Sequence, residues 1–129
     1  MKNVLKLRSS ILNIEKDEND ILIIGFSEDD TFKQNLIIQY SEELTDDDIE
    51  NGWTRYYLEY NNMGSYSCLD KVTISSRKIN FTLNKTGKEL FKEDEIEITL
   101  QLEKDLLYNL KSTLEKIFEK ESVKLEVRD

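Results

Sequence analysis

The chain has 129 residues, 15.3 kDa, with 27 acids against 18 bases and a net charge of −9. It contains no histidine, no proline, one cysteine (Cys68) and four glycines, which removes Ser-His-Asp and Cys-His catalysis, His-ligated metals, an internal disulfide, a Cys cluster and the glycine-rich phosphate cradles. The negative charge opposes binding to nucleic acid phosphates. This length is that of one ordinary domain, 1–129, able to bury roughly two-thirds of its unfolded surface.

The amino terminus, Met1 to Arg8, is interrupted by charge and lacks the apolar stretch of a signal peptide. The longest apolar run, Ile21-Leu22-Ile23-Ile24, is far short of a membrane span. A cytoplasmic, membrane-free protein is therefore expected. Strands are expected at Ile11–Ile14, Ile21–Ile24 and Leu36–Tyr40. Thr54–Tyr60 alternates, placing Tyr56, Leu58 and Tyr60 on one side as core. Residues 61–69 read as a loop. Leu69–Ser75 is a strand that turns at Ser75–Lys78 into Ile79–Leu83, where Ile79, Phe81 and Leu83 alternate with polar residues. A short turn of helix over 86–91 leads to the alternating Ile96, Ile98, Leu100 and Leu102. From Lys104 to Glu119 the apolar positions follow the stripe of an amphipathic helix, with Asp105 in its first turn and Lys116 near its end. The tail, 122–129, is compatible with frayed helix or with a strand. The fold expected is α+β: an antiparallel sheet of about six to seven strands with the long C-terminal helix packed on one face.

The charge is bunched. Residues 28–60 hold ten acids and two bases, a net −8, while the flanking segments are within one charge of neutral. The densest part contains Glu42, Glu43, Asp46, Asp47, Asp48 and Glu50 with no base, and leads into Asn51-Gly52-Trp53. An EF-hand reading fails on spacing. With Asp46 as position 1, the glycine slot holds Asn51 and the bidentate glutamate slot holds Tyr57, so no metal site and no cofactor is assigned. A dense negative patch suits either a solvated loop or recognition of a basic surface, where it steers the partner and neighbouring aromatic side chains supply the desolvated anchor. Trp53, Tyr57 and Tyr66 are the candidate anchors beside the patch. Cys68 reads as a buried small hydrophobe.

From Gly52-Trp53 onward, the order of segments resembles the immunity protein 10 family of bacterial polymorphic toxin systems over about residues 36–119. The segments are the strand Tyr56-Tyr57-Leu58-Glu59, the loop Asn61–Leu69 with Gly64 and Tyr66, Val72-Thr73-Ile74, Ile79–Leu83, Glu95–Ile98 and a helix ending in Ile117-Phe118. The resemblance implies an α+β protein that binds and neutralises a cognate toxin domain. Many such toxins are nucleases, whose substrate sites are basic and so complementary to an acidic blocker. Two other readings stay open: an acidic interaction or regulatory module unrelated to toxins, and a carboxylate-based hydrolase using Glu59, Asp70 or Glu97.

Overall fold

The computed structural model describes residues 2–29, 34–43, 45–51, 54–119, 121 and 123–128. The strands are β1 (Val4–Ser9), β2 (Ile11–Lys16), β3 (Leu22–Ser27), β4 (Asn35–Tyr40), β5 (Tyr56–Tyr60), β6 (Met63–Tyr66), β7 (Leu69–Ile74), β8 (Lys78–Leu83), β9 (Glu95–Leu100) and β10 (Lys124–Val127). The helices are α1 (Asp46–Glu50), α2 (Lys85–Phe91) and α3 (Lys104–Phe118).

The protein is α+β, but the single sheet of six to seven strands is replaced by two sheets of five. One sheet runs β1-β9-β8-β7-β10 and the other β2-β3-β4-β5-β6. We call them the terminal sheet and the meander sheet. The meander sheet is antiparallel throughout. In the terminal sheet β7, β8 and β9 are antiparallel neighbours, whereas β1 lies parallel to β9 and β10 parallel to β7.

The division into two sheets comes from two corners. At the first, Ser9 and Ser10 carry the chain from β1 into β2. The Ser10 N–H donates to the Ser27 carbonyl at 3.0 Å, the Gln101 N–H donates to the Ser9 carbonyl at 2.8 Å, and the buried Ser9 hydroxyl donates to the Ile11 carbonyl at 2.8 Å. At the second, Ser67 takes a left-handed conformation (φ 54°), Cys68 follows it, and the next sheet begins at Leu69. The Ser67 N–H donates to Thr54 Oγ1 at 3.1 Å, and Asn84 binds the corner from outside through its Nδ2 to the Ser67 carbonyl and its N–H to the Cys68 carbonyl. Helix α2 presses on the same corner: a Cβ at Gly87 would lie 2.6 Å from the Cys68 carbonyl oxygen, so only glycine fits.

Alternation of side chains gives each sheet one buried face. Leu22, Ile24 and Phe26 of β3, Leu36, Ile38 and Tyr40 of β4, and Tyr56 and Leu58 of β5 point inward from the meander sheet. Val72, Ile74, Ile79, Phe81, Leu83, Ile96, Ile98 and Leu100 do so from the terminal sheet. The stripe of α3, namely Leu107, Leu110, Leu114, Ile117 and Phe118, enters the same core, so the helix serves both sheets. Phe118 meets Tyr56 edge-on, with ring centroids 5.5 Å apart.

Two further differences from the sequence reading have local causes, and the tail takes one of the two forms expected of it. Asn61 and Asn62 both adopt positive φ (45° and 70°), the two-residue hairpin turn that suits strand twist; it converts the expected loop into the β5–β6 hairpin. Val4–Ser9 forms an edge strand despite its charges, because Lys6 and Arg8 point out while Leu7 is buried. The tail resolves into β10 on the edge of the terminal sheet.

Candidate partner-binding surface

The acidic segment is partly structured by its own chemistry. Thr45 caps α1, its hydroxyl accepting from the Asp48 N–H at 3.1 Å, and the Asp48 carboxylate accepts the Thr45 N–H at 2.9 Å. This capping box satisfies two N–H groups that a helix start otherwise leaves unpaired. Asp46, Asp47 and Asp48 all sit in the first turn, where the helix dipole favours negative charge. No residue of α1 is buried, and Ile49 is 62% exposed; capping, not packing, holds this helix.

The six predicted carboxylates are not equivalent. Glu42 pairs with Lys116 of α3 at 3.3 Å, and its carbonyl accepts from Arg55 Nε at 3.0 Å. Asp48 is committed to the cap. Glu43, Asp46, Asp47 and Glu50 are exposed and make no ion pair with a described base. Trp53 and Gly52 lie outside the described residues.

Tyr57 and Tyr66, predicted as anchors, are brought together. They are direct cross-strand partners on β5 and β6, with ring centroids 5.0 Å apart and planes tilted by 55°. The Tyr57 hydroxyl donates to Glu59 Oε1 at 3.1 Å. Partial burial and the adjacent Glu59 carboxylate push the Tyr57 phenol above its ordinary range. The ring lies over Gly64 on the neighbouring strand, where any Cβ would collide with the phenol. A hollow at the end of the sheet is bordered by Ile21, Gln39, Ser41, Arg55, Tyr57 and Tyr66. Ser41 also borders a second, polar hollow lined by Lys16, Asn19, Asp20, Glu42 and Glu43. The aromatic pair and the Glu42-Glu43 start of the acidic segment therefore border hollows that share Ser41.

Register extends this surface across the whole meander sheet. Tyr57 aligns with Gln39, Gln39 with Ile23, and Ile23 with Glu15; the next rank is Glu59, Ile37, Gly25 and Asn13. These residues occupy the face opposite the core, and Ile23, Ile37, Tyr57 and Tyr66 are half-buried there; among the described helices, α2 approaches this sheet at β6. Its charged members are Glu15 and Glu59. The outer face of the terminal sheet is of another kind. It carries Lys6, Arg8, Lys71, Lys78, Lys124, Glu95, Glu97 and Glu126, with ion pairs Lys71–Glu126 (2.6 Å), Lys2–Glu95 (2.8 Å) and Lys78–Glu97 (3.8 Å). That face is built for water.

A sequence profile of the immunity protein 10 family matches residues 8–107, most of the chain. The chain belongs to the immunity protein 10 family. No individually curated protein matches it. In this family member the matched stretch takes in the whole meander sheet, together with β7, β8 and β9, and reaches the first turn of α3.

The carboxylates weighed for hydrolysis do not converge in this immunity protein 10 chain. Glu59 is on the outer face of the meander sheet, Glu97 is on that of the terminal sheet, and exposed Asp70 sits at the irregular start of β7. Cys68 is fully buried, and burial pushes its thiol up to about 12. None of the described helices is long and apolar enough to cross a membrane. The sequence reading missed Ile23, Gly25 and Ile37 as surface residues. Their signal was present: Ile21–Ile24 and Leu36-Ile37-Ile38 are unbroken apolar runs, which mark strands apolar on both faces.

Proposed function

We propose that this single-domain protein is a toxin-neutralising immunity protein that acts in the cytoplasm by occupying a cognate toxin domain, without cofactor or chemistry of its own. Membership of the immunity protein 10 family carries this reading. The surface chemistry supports it. Exposed Glu43, Asp46, Asp47 and Glu50 supply a negative field that steers a basic partner, and Tyr57 with Tyr66 supplies apolar area beside it. Glu42 and Asp48 act within the fold, by pairing with Lys116 and by capping α1. Trp53 follows α1 closely in the sequence and extends the aromatic set. A nuclease-type toxin, whose substrate site must be basic, is the class that matches this charge. The tightest known toxin–immunity complexes reach dissociation constants of roughly 10⁻¹³ M.

The test is co-expression. A candidate toxin domain, sought at the C-terminus of a large reading frame beside this gene, is expressed in a susceptible host, alone and with this chain. Growth restored by the chain, with a stoichiometric complex on purification, is the expected result. A domain that stays lethal and does not bind overturns the reading.

A further inference from the structure

Gly25 sits at the middle of β3, in the centre of the outer face of the meander sheet, and the fold gives no reason for a glycine there. Its backbone is not in the left-handed region, and a Cβ built on it would meet no atom of a described residue within 4 Å. Glycine inside a strand costs conformational entropy and packs nothing, and it often marks a place where another molecule approaches closely. Gly64 on the same face is different, because the Tyr57 ring fills its place. At Gly25 no described residue does. The result is a hollow of about 170 Å³ bordered by Asn13, Ile23, Gly25, Asn35 and Ile37.

We infer that this notch and the apolar surface around it are the docking site for the toxin domain, and that Gly25 admits one apolar side chain of the toxin between Ile23 and Ile37. The inference rests on the immunity reading above and names the contact surface within it. Charge fixes the kind of partner. Every charged side chain that register places on this face is acidic, Glu15 and Glu59, and at the adjoining ends of the sheet Asp17, Glu18, Asp20, Glu28, Glu42 and Glu43 outnumber the described bases Lys16 and Arg55. The matching surface has an apolar centre ringed by lysine and arginine. A second copy of this chain would oppose acid to acid. The terminal sheet, with its ion-paired exterior, offers no such centre.

Gly25→Val separates the fold from the binding. A β-branched residue suits a strand and has room here, so the thermal midpoint should stay unchanged or rise. Binding to the purified toxin domain should weaken by at least about 30-fold, the loss expected at the centre of an interface. Ile37→Lys should do the same, while Thr73→Lys on the outer face of the terminal sheet should leave affinity unchanged. Wild-type affinity in both Gly25→Val and Ile37→Lys overturns the docking site and leaves the immunity reading intact. A wild-type chain that does not bind the toxin domain overturns both. A wild-type dimer in light scattering that Ile37→Lys dissociates also overturns the inference, in favour of self-association.

Discussion

The backbone N–H of Leu69 donates to the hydroxyl of Tyr56 across 2.9 Å inside the core. Tyr56 belongs to the meander sheet and Leu69 to the terminal sheet, so a phenol ties the two sheets beside the Ser67-Cys68 corner. Burial drives the Tyr56 phenol well above its ordinary range, which keeps it neutral, while the ring packs on Phe118. Tyr56→Phe preserves the ring and deletes the acceptor, leaving a buried N–H unpaired. The expected cost is about 1–3 kcal/mol, read as a lower urea midpoint with unchanged slope. Hydrogen exchange at the Leu69 amide should accelerate more than exchange elsewhere in β7.

Gly64 and Tyr57 should be coupled. Gly64→Ala forces the Tyr57 ring off the neighbouring strand and away from Tyr66, at a cost of about 1–3 kcal/mol for overpacking. In a Tyr57→Ala background the same substitution should cost much less. A double-mutant cycle measured by chemical denaturation gives the coupling directly; additive effects would show that the ring does not depend on the glycine.

Acid sensitivity should come partly from β10. Lys71 and Arg128 hold the Glu126 carboxyl down to about 2, and Lys2 and Asn80 hold that of Glu95 below its usual range. A carboxyl whose folded pKa lies below the unfolded value of about 4.3 contributes stability that is complete above that value and disappears as the folded pKa is approached. For Glu126 the loss therefore falls between about pH 4 and about pH 2. Glu121 has the opposite sign, since burial raises its pKa and protonation relieves the folded state. Glu126→Gln should flatten the acid limb of the stability curve in that window, measured as urea midpoints from pH 7 to 2.

The Cys68 thiol is fully buried and held up to about 12 by its surroundings. It should not react with a disulfide reagent in the native protein at pH 8, yet react stoichiometrically in denaturant. Rapid native labelling would mean that the Ser67-Cys68 corner opens readily.

Within the proposed complex, the acids of α1 should affect speed more than residence time. Asp46→Asn with Asp47→Asn leaves the Thr45–Asp48 cap intact and removes two exposed charges. The association rate with the toxin domain should fall, and its dependence on salt should flatten. Rates that are the same across ionic strength in both proteins would remove α1 from the steering surface.

Much of this fold is legible in the sequence, for identifiable reasons. Ile79-Asn80-Phe81 and Ile96-Glu97-Ile98 alternate cleanly because one face is buried and the other solvated, and the α3 stripe is equally regular. The division into two sheets is not legible, because it depends on corners at Ser9-Ser10 and Ser67-Cys68 whose signal is a hydrogen-bond network and not a pattern. β6 is hard to see because Asn61-Asn62 reads as the start of a loop, although two asparagines in a row are also a hairpin turn chemistry. The charge count found the acidic segment but not that Glu42 and Asp48 are engaged by the fold. It drew attention away from Gly25 and Ile37, whose meaning lies in strand register.

The parallel pairings at both edges of the terminal sheet set the order in which the molecule can be made on a ribosome. Val4 waits for Glu95, and Lys71 waits for Lys124. The meander sheet, by contrast, joins each strand to the next in the chain and can zip together while the rest is still being translated. The proposed docking face is therefore assembled early from nearby segments, and the opposite sheet locks it in place last.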